Sequence, residues 1–413
     1  MWRALASTIL CLAALGSKVV AQTYEAEAGV LTGVTVDTTA TGFTGTGYVT
    51  GFDDAADQVA ISINTATYGV YSLTIRYRAA NGDKKAALFL DGTGAGEVSL
   101  VSSTSFTSVT AGKLLLTAGS HTLTIQSDWG CLEWIDWLKT NVGKKPAIAG
   151  LDLIDYSPTR VSHNATSHAV EDAIAWDNSG GITTFVWHWN APSGLIDLPG
   201  QEWWRGFYTA ATTFDIAAAL ANKNGADYKL ILRDLDAIAV QLKRLQSKRI
   251  PILWRPLHES VAAGWFWWSA KGPDATIELY RLMYKRFTEY HHIHNLIWVW
   301  SSPEPAFYPG DDYVDIIGYD SYPALGDHGP VSSTYDTVIS IVKDKKPVTL
   351  SEVGSIPDPD LLQVYHADWS YFVVWDGEFI NDNSHNPISF LKKVYNSTYV
   401  ITLGEVGNFK YLL

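Results

Sequence analysis

From Gln22 to about Asp128, apolar and polar residues alternate in short runs broken by glycine, as in "YSLTIRYRAANGD", "KAALFLDG" and "KLLLTAGSHTLTIQSD". Val, Ile, Thr and Tyr dominate these runs, and turn residues recur about every 8–12 positions, the spacing of an all-β sandwich of the jelly-roll kind. "AANGD" reads as a hairpin turn in which Asn81-Gly82 supplies positive φ. "DGTGAGEV" has a Gly-x-Gly spacing, but no helical pattern follows it, so it reads as a hairpin loop rather than a nucleotide-binding loop.

After about Gly143 the grain changes. Continuous apolar runs appear at "AIAGLDLI", "ITTFVWHW", "IPILWRP", "NLIWVW", "VDIIGYD", "PVTLSEVG" and "YFVVWDG". Between some of them lie amphipathic stretches such as "ADYKLILRDLDAIAVQLKRLQSKR" and "DATIELYRLMYKRFTEYHH". Buried strands alternating with helices predict a parallel sheet covered on both faces, and this many units in one domain point to a (β/α)8 TIM barrel. In such a barrel the residues ending the strands face the site. Here they are His188, His258-Glu259, Tyr319-Asp320, Glu352 and Trp375-Asp376.

Glu259 and Glu352 each close a buried run and sit three strands apart around the ring, so they can project over one mouth. Two facing carboxylates can perform acid/base and nucleophilic work on a glycosidic bond. A zinc site fits less well. His258-Glu259 begins like H-E-x-x-H, but Ala262 stands where the second ligand would be. "HHIH" at 291–294 ends a helical pattern, where such side chains suit the helix dipole. Tryptophan is abundant, and "GWFWWS" follows Glu259 closely enough to line the same mouth. Flat aromatic faces suit the C–H faces of sugar rings, although many of these rings must serve the core.

The formal charge of −13 over 413 residues argues against nucleic acid or an anionic membrane as partner. The chain opens with Arg3, an apolar run from Ala4 to Gly16, and small residues at Val19 and Ala21. This is the form of a secretory signal, residues 1–21, too short for a span of roughly 20 apolar residues. A secreted mature chain beginning near Gln22 then keeps only Cys131, without an intrachain disulfide partner, and reads as a buried thiol. Asn164 and Asn396 lie in glycosylation sequons, consistent with export.

At "WRPLHE…GWFWW", "DIIGYDSYP", "LSEVG" and "VVWDGEF" the sequence closely resembles glycoside hydrolase family 26, from about Lys144 onward. The resemblance implies a retaining (β/α)8 glycosidase, most often an endo-β-1,4-mannanase acting on mannan-type polysaccharide. A mixed-linkage β-1,3-1,4-glucanase or β-1,3-xylanase is the alternative within the family. The resemblance also implies roles for individual residues. Glu259 would be the acid/base and Glu352 the nucleophile. Tyr319 would hydrogen-bond the nucleophile, and His258 would orient the acid/base. His188 would contact the sugar in the reacting subsite, Trp375 would stack on it, and Trp265 would line the neighbouring subsite. No cofactor is implied for catalysis, and a monomer is expected.

"YEAEAG" and "QSDWG" carry a looser likeness to carbohydrate-binding module family 35. It implies a structural calcium held by Glu25 and Glu27 and a ligand contact at Trp129. The expected domains are therefore a module over 22–130 and a hydrolase domain over 131–413.

One feature departs from the family pattern. The acid/base there follows the fourth strand, yet only two apolar runs precede the one leading to Glu259, so the first strand is missing. "CLEWIDWLKTNVGKKPA" fits the first barrel helix by the spacing of Cys131, Trp134, Ile135 and Leu138, ending at Asn141-Val142-Gly143. "IDWL" also resembles the module's closing strand, and it cannot serve both domains. The expectation is that some residues are absent between Gly130 and Leu132. The tail "YVITLGEV" is a candidate to fill the gap. A non-catalytic carbohydrate-binding protein with an incomplete barrel is the rival reading from a different class.

Overall fold

The computed structural model describes residues 5–6, 22–52, 57–80, 84–101, 103–127, 133–163, 165, 167–262, 264–343 and 345–407. Trp129, Cys131, Asn164, the Asn81-Gly82 turn and nearly all of the expected signal segment lie outside the described residues. The chain divides into two units, Met1–Trp137 and Leu138–Leu413.

The first unit holds two five-stranded antiparallel sheets. One runs in the order Thr35–Asp37, Tyr48–Thr50, Leu5–Ala6, Gly69–Ala79, Ser103–Leu116. The other runs Val30–Thr32, Gln58–Thr65, Gly119–Ser127, Lys84–Leu90, Thr93–Leu100. The alternation read from the sequence fixes which face is inward. Val59, Ile61 and Ile63 on one strand, and Tyr71, Leu73, Ile75 and Tyr77 on another, are buried in the shared core. Asp91-Gly92 forms the expected hairpin loop, with φ of 51° and 77° between the paired Leu90 and Thr93. The strands flanking "AANGD" are not a hairpin pair. Gly69–Ala79 and Lys84–Leu90 belong to different sheets, so this connection crosses the sandwich. Within the expected signal segment, Leu5–Ala6 pairs with both Tyr48–Thr50 and Gly69–Ala79.

"EWIDWLKTNV" is a helix, Glu133–Val142, stopped by Gly143 at φ +95°. Trp134, Ile135, Leu138 and Val142 are buried along one face, so "IDWL" is not a module strand here.

In the second unit all seven apolar runs form strands of one parallel sheet in sequence order: Ile148–Asp152, Ile182–Val186, Ile252–Arg255, Leu296–Ser301, Ile316–Ser321, Val348–Val353 and Phe372–Val374. Helices alternate with them. The longest, Ala226–Ser247, buries Ile231, Leu235, Ile238, Leu242 and Leu245 at intervals of three and four. Pro273–Lys285 continues as a wider turn to Tyr290.

A (β/α)8-type barrel without its first strand was expected, and seven strands are found among the described residues. The first and last strands are sheet edges. They come close enough that a Cβ at Gly150 would stand 3.1 Å from Val373 Cγ1, but they are not paired. All six residues of Val348–Val353 are buried, whereas Phe372, Val373 and Val374 are only half-buried. The tail does not close the seam. It makes one isolated antiparallel bridge, Pro146 to Thr402. Among the described residues no helix is long and apolar enough to cross a membrane.

Candidate active site

The third strand, Ile252–Arg255, is buried throughout and runs into Pro256-Leu257-His258-Glu259. Leu257 and Glu259 adopt left-handed backbone, φ 51° and 52°. Such conformations cost about 1–3 kcal/mol each and persist only where neighbours fix them. Three contacts do so. Glu259 N donates to Ser301 O at 2.9 Å, Ser260 Oγ to Leu257 O at 2.8 Å, and Trp268 Nε1 to His258 O at 3.1 Å. The half-buried Glu259 carboxylate accepts from Trp265 Nε1 at 3.1 Å.

Glu352 comes from the sixth strand. The pairing of this strand with the fifth shifts by one residue, so that Tyr319 faces Leu350 while Asp320 faces Glu352. The extra residue, Ser351, donates Oγ to Asp320 Oδ1 at 2.6 Å. Gly318 has to be glycine for this approach, since a Cβ there would meet Ser351 Oγ at 2.3 Å. Arg255 joins the group. Its Nη1 donates to Asp320 Oδ2 at 2.9 Å and to Ser301 Oγ at 3.1 Å, and its Nη2 to Glu352 Oε1. Tyr322 donates its hydroxyl to Glu352 Oε2 at 2.7 Å.

One carboxylate oxygen from each of Glu259, Asp320 and Glu352 lies within 4.8 Å of the others. Three acidic groups this close could hold a cation. The buried Arg255 guanidinium already fills that position for Asp320 and Glu352, with two ion pairs. The single positive charge leaves the group over-supplied with acid. Burial, then the charge of Glu352, raises the proton affinity of Glu259 against the opposing pull of Arg255. Burial likewise raises Asp320, with Arg255 opposing and Glu352 adding. Tyr322 is pushed up, by burial first and Glu352 next, so it remains a donor. The arrangement therefore pairs a carboxyl group of raised proton affinity, Glu259, with a carboxylate fixed by two donors, Glu352.

His188 follows the second strand. Its Nδ1 lies 2.6 Å from Asp152 Oδ2 and its Nε2 lies 3.2 Å from His258 Nε2. The Trp375 ring stands edge-on to His188, centroids 6.0 Å apart. His188, Glu259, Trp265, Glu352 and Trp375 thus come together as the sequence suggested.

Two expectations are corrected. Tyr319 does not hold Glu352; Tyr322 does. Asp320 points into the barrel, so its strand neighbour Tyr319 projects to the opposite face. His258 bears on Glu259 through the turn they share, not through a hydrogen bond to its carboxylate. Its Nε2 meets His188 and its Nδ1 is buried without a partner. Of "GWFWWS", only Trp265 is open, 48% exposed. Trp267 and Trp268 are core residues whose indoles bond the backbone carbonyls of Trp189 and His258. In the "HHIH" run, His291 pairs with Asp236 beside Arg286, an ordinary helix-end ion pair.

Sequence reasoning also missed residues. Arg255 and Asp320 were inside quoted motifs but given no role, and Asp152 was not singled out. Tyr322 was legible by parity, being two residues beyond Asp320 on an alternating strand. Trp203 and Trp204, in the loop after the second strand, had a signal in the paired aromatics of a polar "QEWWRG". Trp203 stacks on His163 at 4.3 Å, and Trp204 is 49% exposed.

In the first unit, Glu25 and Glu27 converge under the Thr44–Gly47 loop. Thr44 Oγ1 donates to Glu25 at 2.9 Å and Thr46 N to Glu27 Oε1 at 2.7 Å. Glu27 Oε2 is buried with no partner, and a Cβ on Gly45 would meet Glu27 Oε1 at 2.2 Å. An orphaned carboxylate oxygen beside a second carboxylate fits a hard cation. Asn396 is exposed at a helix end, its Nδ2 on Lys392 O at 2.8 Å.

The sequence model of glycosyl hydrolase family 26 matches residues 111–405. The chain belongs to this family. Carbohydrate binding module family 35 matches residues 22–142. The two matches overlap over 111–142. A "Mannan endo-1,4-beta-mannosidase" of Thermothelomyces thermophilus is 44% identical, over 94% of this chain and 90% of that protein. Their alignment runs over 439 positions, and 94% of 413 residues supplies about 388, so about 50 positions of the relative have no counterpart here. The crystal structure of a Podospora anserina GH26-CBM35 β-(1,4)-mannanase is 44% identical, with a TM-score of 0.66, covering 94% of this chain and 98% of that one. A β-mannanase from a symbiotic protist of the termite Reticulitermes speratus, solved with a gluco-manno-oligosaccharide, is 34% identical with a TM-score of 0.59, covering 67% of this chain and 85% of that one.

Proposed function

We propose that this family 26 member is a retaining endo-β-1,4-mannanase in which Glu259 is the general acid/base and Glu352 the nucleophile. The observation that carries the reading is the meeting of Glu259, its proton affinity raised by burial and by Glu352, with a Glu352 fixed by Arg255 and Tyr322, their oxygens within 4.8 Å. That closeness suits the retaining geometry, in which the carboxyl groups stand about 5–5.5 Å apart and leave no room for an attacking water between. Glu352 attacks the anomeric carbon while Glu259 protonates the departing oxygen. Glu259 then takes a proton from water as the glycosyl-enzyme bond is broken. Trp265 and Trp375 offer faces for neighbouring sugars, and His188 bounds the reacting subsite.

The test is reducing-sugar release from galactomannan by purified protein, with Glu352→Ala beside it. Activity that vanishes in the variant supports the assignment. Release from β-1,3-1,4-glucan or β-1,3-xylan alone would replace the substrate, and a folded chain inactive on all three would leave a carbohydrate-binding protein.

The module reading adds polysaccharide tethering, which raises local substrate concentration. Glu25 and Glu27 would hold a structural calcium there, supported by the orphaned Glu27 oxygen. Export would remove residues 1–21 and expose Asn396 for glycosylation. N-terminal sequencing of secreted protein, expected to begin near Gln22, tests this.

A further inference from the structure

Glu259 stands on a turn that is strained on both sides of His258, at Leu257 and at Glu259 itself. His258 is the buried residue between them, so whatever fixes its ring and carbonyl fixes the turn. Trp268 takes the carbonyl. The ring is held from the adjacent strand end by His188, across 3.2 Å between their Nε2 atoms, and His188 is held in turn by Asp152 at the end of the first strand. Asp152 does more than meet the ring. Its Oδ1 also accepts the His188 backbone N–H at 3.1 Å and the Ile154 N–H at 2.9 Å. One carboxylate thus sets both the backbone and the ring of His188.

We propose that Asp152 is a positioning residue for the reaction: through His188 and His258 it braces the strained turn that carries Glu259. The inference rests on the glycosidase reading. Asp152 acts through a line of three side chains from three consecutive strand ends.

The charges around His188 agree with this geometry. Burial would lower its proton affinity. The charge and hydrogen bond of Asp152, with Glu352 adding, outweigh burial and the repulsion of Arg255, so the net direction is up. His258 is pushed well down, by burial, then His188, then Arg255. These directions favour His188 over His258 as the ring that carries the extra proton, with its two nitrogens facing Asp152 Oδ2 and His258 Nε2. Glu259 lies close enough for His188 to lower its own proton affinity slightly.

Asp152→Asn is the informative variant. Its Oδ1 keeps the two backbone amides, but an Nδ2 donor now faces His188 Nδ1, so the ring loses the acceptor that favours its double protonation. The expected result is a kcat lowered about tenfold with KM within twofold, and an alkaline limb of kcat/KM moved to higher pH, because a neutral His188 no longer lowers the proton affinity of Glu259. Added to His188→Ala, the same change should cost nothing further, because Asp152 acts only through that ring. A wild-type kcat and pH profile in Asp152→Asn, or an equal fractional loss in both backgrounds, would overturn the proposal. A readout independent of turnover separates this from failure of the glycosidase reading. The ¹⁵N shifts of the His188 ring should show it protonated to a higher pH in the wild type than in Asp152→Asn, and coincident titrations would refute the brace even if no substrate were found.

Discussion

Tyr322 donates its hydroxyl to Glu352 Oε2 at 2.7 Å, from a position just past the end of the neighbouring strand. With Arg255 on the other oxygen, both oxygens of Glu352 accept a hydrogen bond, which orients the carboxylate.

Removing that hydroxyl should therefore be costly. A hydrogen bond to a charged group contributes about 1.5–3 kcal/mol, so Tyr322→Phe should lower kcat about 10- to 100-fold with a folded protein. Tyr319→Phe, which leaves Glu352 untouched, should behave as wild type in the same assay. The reverse ranking would show that the tyrosines are misassigned.

Trp265 lowers the proton affinity of Glu259 by its hydrogen bond, against burial and Glu352, which raise it. Trp265→Phe keeps an aromatic face but removes the donor. The protonated acid should then persist to higher pH, and the alkaline limb of kcat/KM should move up. A limb that stays in place would mean that another group sets it.

Asp234 is a stability group outside the mouth. Burial pushes it up to about 6, against hydrogen bonds from Trp189 and Arg233 and the charge of Arg233. Its folded value lies above an unfolded value of about 3.9, so the native state binds the extra proton. Stability from this group is greatest below about pH 4 and is lost as pH rises to about 6, about 3 kcal/mol in all. Asp234→Asn should flatten the fall in Tm between pH 4 and 6, and an unchanged slope would contradict this.

Sequence periodicity located all seven barrel strands, because each is apolar on both faces and bounded by turns. It located both glutamates and most of the mouth for the same reason: they end those strands. It failed where a single residue of register mattered. Tyr319 and Tyr322 differ only in strand parity, and the bulge at Ser351 that brings Glu352 opposite Asp320 has no signature in composition. The tryptophans of "GWFWWS" look alike in sequence, and only packing separates the exposed Trp265 from the buried Trp267 and Trp268.

The unpaired edges at Ile148–Asp152 and Phe372–Val374 should open locally before the rest of the sheet. Hydrogen exchange is expected to be fastest at amides of Phe372–Val374 and slowest in Leu296–Ser301. Uniform protection across the sheet would mean that the seam is closed in solution.

The central claim is that Glu259 and Glu352 act as an acid/base and nucleophile pair with net retention. A ¹H NMR time course of mannohexaose cleavage reads this directly, because the anomer of the first product is set before mutarotation. The account predicts that the β-anomer appears first. The α-anomer appearing first would require a water between the carboxylates and would contradict the geometry from which the mechanism is drawn.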